Sequence, residues 1–302
     1  MALAVCRPLL AETPAAPLVT EGKTVRVSEH VWVIPDGRVN LVPNIGIVRG
    51  RDAVLVIDSG MGPRNGEAVL REVRKIAPNA PLYLTTTHFH PEHVSGFQAF
   101  PASAKLLRPA AQQEELATKS AALVDLFTKM SPVHAELLRP VKMRQPDFVF
   151  GDFVEINLGG VTARVFTLGP AHTRGDAFVL VQEDNLLFGG DVITNRFFPI
   201  ILDESGAGWI KVLDQAAKLK PVTVVPGHGE TGGADLIAQE RAFLAAMQSR
   251  TQELKGQGKS VDQIVGLATA ELKTKYPRWE NPEFLEAGIR RFYAEAPRPG
   301  KR

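Results

Sequence analysis

The spacing of hydrophobic and polar positions predicts strands over the first part of the chain. Residues 24–34 are rich in Val and end at Pro35-Asp36-Gly37, a turn signal. Residues 44–48 and 53–57 read as a hairpin across 49–52, closed by the breaker Asp58-Ser59-Gly60-Met61-Gly62-Pro63. The period then lengthens, with Val69, Leu70, Val73 and Ile76 at helical spacing. Residues 81–87 form a short apolar strand ending in Thr85-Thr86-Thr87, and 109–138 read as helix in pieces, punctuated by Ser131-Pro132 and Arg139-Pro140. A second group of strands covers 148–149, 153–158, 161–167, 177–182 and 185–188, with Gly159-Gly160 and Glu183-Asp184 as hairpin turns. Residues 208–219 are helical and 221–225 form a buried strand. Helix then dominates to the end, over 234–254, 261–275 and 282–295. This layout is a strand-rich half, a helical insert, a second strand-rich half and a helical tail. Two sheets with helices outside them bury such elements.

Composition narrows the function. The 302 residues allow two domains or one large one. With 35 Lys+Arg against 33 Asp+Glu the charge is balanced and no basic stripe stands out, so no nucleic-acid partner is expected. The single cysteine, Cys6, supplies neither an internal disulfide nor a multi-cysteine metal site. No apolar run reaches the ~20 residues that span a bilayer, and no membrane partner is expected. Residues 1–22 read as a flexible leader. A secretory remnant is the alternative, against which Arg7 and Pro8 interrupt the apolar stretch. Cytoplasm and periplasm both remain open.

The chemistry concentrates in histidines. Three of the seven fall within six residues, in His88-Phe89-His90-Pro91-Glu92-His93, directly after an apolar strand. On an extended segment His88 and His90 share a face, and a turn through Pro91 brings Glu92 and His93 to a neighbouring position. Imidazoles with a carboxylate suit Zn²⁺, and also iron or manganese. His172 lies in a tight turn between strands, Asp191 ends the strand Leu187-Phe188-Gly189-Gly190, and His228 follows Val225-Pro226-Gly227. Each sits where a strand stops and glycine lets the backbone turn. His30 and His134 lack that setting and read as structural or surface groups.

In this order, His88, His90, His93, His172, Asp191 and His228 resemble the metallo-β-lactamase superfamily, over about residues 25–233. Asp58 resembles that family's buried acidic residue behind the site. The resemblance implies an α+β fold: a four-layer αββα sandwich of two mixed β-sheets with flanking helices. It places this domain at 23–233, with a C-terminal helical extension at 234–302. It also implies two Zn²⁺ per chain, with Fe or Mn as the alternative. One would be held by His88, His90 and His172, the second by Glu92, His93 and His228, and Asp191 would bridge them. There is one departure: Glu92 stands where the family has Asp. It reaches the metal in the favoured reading; a weak second site, or a proton-transfer role alone, are the others.

The activity implied is that of a metal-dependent hydrolase using a metal-bound hydroxide on a small ester, thioester, lactone or cyclic amide, with Glu92 or Asp191 relaying the proton. A β-lactamase, an iron persulfide dioxygenase-like oxidoreductase and a metal-binding protein without catalysis are the alternatives. The stretch after His228 offers Gly229, Glu230 and Thr231 rather than a basic residue for a β-lactam carboxylate. Residues 195–201, Asn195-Arg196-Phe197-Phe198-Pro199-Ile200-Ile201, read either as packing against the tail or as an apolar wall for a small-molecule substrate. With Gly208-Trp209 they resemble, more loosely, a branch associated with sulfur oxidation and quinoprotein systems. Arg174 and Arg196 are candidates for holding an anionic group. The tail is open to covering the sheet, shaping the pocket rim or making a homodimer contact.

Overall fold

The computed structural model describes residues 15–202 and 204–297. Twelve strands form two sheets. The first runs β1 (Val25–Arg26), β2 (Val31–Ile34), β3 (Ile45–Arg49), β4 (Val54–Ile57), β5 (Leu82–Thr85), β6 (Lys105–Pro109) and β7 (Phe148–Phe150), in that spatial order. Its first four strands pair antiparallel and the rest parallel. The second sheet contains β8 (Phe153–Asn157), β9 (Thr162–Phe166), β10 (Phe178–Val181), β11 (Leu186–Gly190) and β12 (Thr223–Pro226). Its order is β12-β11-β10-β9-β8, antiparallel except for β11 with β12. Eight α-helices among the described residues accompany them: α1 (Gly62–Ile76), α2 (Pro91–Val94), α3 (Ala110–Met130), α4 (Pro132–Leu138), α5 (Gly206–Ala216), α6 (Asp235–Gly256), α7 (Val261–Lys275) and α8 (Leu285–Glu295). No helix among the described residues is long and apolar enough to cross a membrane.

The layering follows from the two-residue period of the strands. In β4, Leu55 and Ile57 enter the core between the sheets, where they share a cluster with Val165, Val179 and Phe188 of the second sheet. Val54 and Val56 point the other way and pack with Ala68, Val69 and Val73 of α1. A strand buried on both faces reads as a continuous apolar run, which Val-Leu-Val-Ile is. The outer face of the second sheet packs on α5–α8 through Trp209, Phe243, Ile264, Ile289 and Phe292. The result is an α+β sandwich of two mixed sheets between helical layers.

Three details depart from the sequence reading. Residues 24–34 are two strands rather than one, because Val27 and Ser28 both donate backbone N–H groups to the carbonyl of Val31 and turn the chain. Lys105–Pro109 is a strand where only the following helix was expected, since five residues carry too little periodicity to show. Of the expected leader, residues 1–14 lie outside the described residues. From Ala15 the chain is tied down: Val19 is buried and donates to Asn65 at 2.8 Å, and Gly22 donates to Glu72 at 2.9 Å.

The tail is anchored to the loop that follows Asp191. Glu240 of α6 is buried and accepts from the Thr194 hydroxyl at 2.8 Å and the Thr194 N–H at 3.2 Å. Burial pushes its carboxyl up to about 8, further than the two Thr194 bonds pull it down. Between the ordinary carboxylate range and that value the folded chain holds a proton that the unfolded chain releases. This group's contribution to stability therefore falls as pH rises through the window. Gln keeps an acceptor for Thr194 and removes the linkage. Urea unfolding of Glu240→Gln, run between pH about 5 and about 8, should show a shallower loss of stability with rising pH than the native chain. Identical pH slopes in the two proteins would contradict this.

Candidate metal centre

The site lies beyond the C-terminal ends of strands from both sheets. Asp58 follows β4, His88 and His90 follow β5, and Glu92 and His93 sit on α2. His172 lies in the turn after β9, Asp191 follows β11, and His228 follows β12. Strand ends are where loops approach one another in open sheets and where side chains of distant sequence converge. Two glycines make the approach close enough. Gly190 has φ +52°, and a Cβ there would lie 2.6 Å from the Cβ of Thr87. A Cβ on Gly227 would come within 2.0 Å of Asp191 Oδ1.

The expected donors fall into two sets, His88 with His90 and His172, and Glu92 with His93, Asp191 and His228. Within each set the offered atoms lie within 4.8 Å of one another. The extra methylene of Glu92 therefore does not keep its carboxylate out of the second set. Asp191 faces both. Its Oδ2 is 3.7 Å from His172 Nε2, 3.9 Å from His88 Nε2 and 3.5 Å from His228 Nε2, while Oδ1 is 3.5 Å from His93 Nε2. His90 Nδ1 and His172 Nε2 are 3.3 Å apart.

These separations are too long for good hydrogen bonds and too short for independence. His88 Nε2, His93 Nε2, Glu92 Oε2 and Asp191 Oδ1 are all buried without a hydrogen-bond partner. Buried polar atoms normally find one, so these four orphans, spread over the two sets, are what a site able to hold cations would leave. Burial, reinforced by neighbouring imidazoles, pulls His88 and His90 well below the usual histidine range, leaving lone pairs free for a metal. His172 is lowered too, again by burial first. Burial alone would lower His93, but the carboxylates of Asp58 and Asp191 hold it up at about 9. Burial raises Glu92 to about 7, against the pull of His93. Asp191 is held well below its ordinary value: burial would raise it, and His228, His93 and His88 overcome that.

A second ring of groups fixes the imidazoles, as outer partners of metal ligands do. Asp58, in a left-handed conformation at φ +65°, lies 2.9 Å from His93 Nδ1. It accepts the Thr87 N–H and the Thr87 hydroxyl, both at 2.8 Å. His172 Nδ1 lies 3.2 Å from the carbonyl of Ile200. The His228 loop is clamped by residues the sequence reading passed over. Asn44 donates to the carbonyls of Pro226 and Gly229 at 3.0 and 2.7 Å, and Asp36 accepts from Gly229 N–H at 2.8 Å. Asp36 showed only as part of the turn Pro35-Asp36-Gly37, and Asn44 only as a polar residue at the start of an apolar strand.

An apolar pocket opens over the two sets. Phe197, Phe198 and Ile200 line it, so the loop after Asp191 forms a wall as well as packing on the tail. Leu123, Leu126, Phe127 and Met130 of α3 and Phe284 of the tail line it too, none of them singled out in the sequence. The lining residues include no Lys or Arg. Arg174 pairs instead with Glu114, and Arg196 is exposed outside the lining. His30 pairs with Asp184 at 2.7 Å, and the His134 backbone N–H donates to the side chain of Ser131, which caps α4; neither joins the cluster.

Comparison with known proteins agrees with this geometry. The family profile described as the metallo-beta-lactamase superfamily matches residues 38–228. The type 2 metallo-beta-lactamase of Bacteroides fragilis is 34% identical over 104 residues, covering 33% of this chain and 42% of that enzyme. The human acyl-coenzyme A thioesterase MBLAC2 is 28% identical over 216 residues, covering 64% of this chain and 75% of the relative. Among solved structures, an inverting sec-alkylsulfatase from Pseudomonas sp. aligns with a TM-score of 0.68 at 14% identity, over 90% of this chain and 50% of its own. A metallo-beta-lactamase from Pontibacter korlensis aligns with a TM-score of 0.61 at 18% identity, over 74% of this chain and 98% of its own. The chain thus spans less than half of the Bacteroides enzyme and half of the alkylsulfatase. With a profile match across most of its length and the six-residue His/Asp order in place, the chain belongs to the metallo-beta-lactamase superfamily.

Proposed function

We propose that this chain is a metal-dependent hydrolase acting on an ester or thioester. The observation that carries the reading is the pair of buried donor sets sharing Asp191, with four unpartnered polar atoms facing inward, at the floor of an apolar pocket. Similarity to an acyl-coenzyme A thioesterase supports the acyl class. The donor chemistry suits two divalent cations such as Zn²⁺: His88, His90 and His172 would hold one, Glu92, His93 and His228 the other, and Asp191 both. When bound, they supply Lewis acidity, lowering the pKa of water and polarising an acyl oxygen.

The chain's own residues account for the rest. Water adds to the acyl carbon, the C–O or C–S bond breaks, and the products are a carboxylic acid and an alcohol or thiol. One proton of the water must reach the leaving oxygen or sulfur. Glu92 is placed to carry it, because it belongs to the second donor set and lines the pocket. Asp191 stays charged and orients the imidazoles around it. Asp58 and Thr87 hold His93 in a single orientation. The apolar lining excludes bulk water and offers no cation to an anionic substrate, which favours a neutral carbonyl over a β-lactam carboxylate.

Three outcomes follow. His90→Ala and Asp191→Asn should each bind zinc at least ~100-fold more weakly, measured by chelator competition with folding checked by circular dichroism. Full zinc occupancy in both variants would remove them from the donor set. Glu92→Gln should weaken the second binding step more than the first, and equal weakening of both would contradict its place beside His93 and His228. Zinc-loaded protein should cleave simple aryl esters and thioesters faster than β-lactams or phosphodiesters. Preference for a β-lactam, or one tightly held iron with oxygen consumption, would overturn the proposed activity.

A further inference from the structure

The lining over the centre has a long axis. On α3, Leu123, Leu126, Phe127 and Met130 fall at i, i+3, i+4 and i+7, which puts them on one helical face. Such a face is ordinarily buried, yet Leu126 and Met130 stay 48% and 50% exposed. Leu202, also on the pocket lining, is 46% exposed. Half-exposed apolar side chains gathered at one pocket, above buried polar donors, mark a surface that something apolar covers. From Leu123 to Met130 the stripe rises ~10 Å, the extended length of about eight carbons. A second opening reaches His90 and His172 past Leu123, Leu126 and Leu202, and its other walls include Thr118, Lys119 and Glu204. The two imidazoles therefore stand where the apolar chamber meets a mixed one, whose walls add the charged side chains of Glu115, Lys119 and Glu204.

We propose that the pocket takes an unbranched alkyl chain of roughly eight carbons along the α3 stripe, with the polar remainder of the same molecule leaving through the second opening. Only the placing of the scissile carbonyl between the chambers rests on the hydrolase reading. An unbranched chain suits the site because it meets apolar groups along its length and carries no charge, and the lining holds no Lys or Arg to receive one. Phe284 brings the helical tail into the lining, held there by the backbone pairing of Phe197 with Glu280. The tail and α3 together then set the chain length accepted.

Two measurements test this independently of one another. In calorimetric titrations of the zinc-loaded protein with butanoate, hexanoate, octanoate and dodecanoate, affinity should rise about two- to fourfold per added methylene up to octanoate and level off beyond it. The head group is constant, so the slope reports the chain. Leu126→Glu/Met130→Glu should flatten that slope, whereas Leu267→Glu, an exposed apolar position on α7 outside the pocket, should keep it. With p-nitrophenyl acetate and decanoate, the decanoate-to-acetate ratio of kcat/KM should fall at least about tenfold in the double variant. A flat series in the native protein overturns the proposal, as does a slope that the double variant leaves intact or that Leu267→Glu lowers equally. Graded fatty-acid binding without ester cleavage leaves the chain pocket standing and removes the hydrolase reading. Acetate cleavage without any chain-length dependence does the reverse.

Discussion

Asp191 is almost buried at the pocket floor, with four imidazole nitrogens between 3.5 and 3.9 Å from its oxygens. A carboxylate so placed has lost its water, and nothing among the described residues replaces that water with well-formed hydrogen bonds. Opposite charge is required nearby, and it has two sources: protonated imidazoles or bound cations. Protonation meets it only in part: the carboxylates of Asp58 and Asp191 hold His93 up at about 9, but burial and mutual repulsion drive His88 and His90 toward the neutral form. Divalent cations would satisfy the carboxylate and the neutral imidazoles together. The architecture is a means of holding those groups at that spacing.

The sandwich holds them by ending strands from two sheets at a common rim. Sheet cores on either side are stiff, so loops between them have little freedom, and glycines at positions 190 and 227 remove the last steric obstacles to contact. The helical tail adds a restraint on the loop after Asp191 through Glu240, and helps roof the pocket through Phe284. The same loop thus carries a donor at one end and the apolar wall at the other, which couples the position of the centre to the shape of the pocket above it.

Much of this was legible in the chain. His-x-His-x-Glu-His after an apolar strand, and single donors beside glycines at three later strand ends, named every member of the two donor sets before any geometry was known. Local patterns reveal such groups because the chemistry needs rare residue types at turns. The supports were not legible. Asn44 and Asp36 act through backbone contacts almost 200 residues away in sequence, and Glu240 looks like any polar position on a tail helix. The α3 stripe carries ordinary helical periodicity, and only its exposure beside the centre separates it from core. Strand β6 was too short to show a period. What sequence pattern misses here are contacts between distant segments, whose partners no local window contains.

We propose that residues from separate strand ends share one pair of cations. Diffraction from zinc-loaded crystals, recorded at the zinc absorption edge, tests it most directly. Two anomalous peaks per chain are expected, one touching His88, His90 and His172, the other touching Glu92, His93 and His228, with Asp191 in contact with both. A chain that takes up zinc elsewhere, or whose rim shows no peak at full loading, would contradict it.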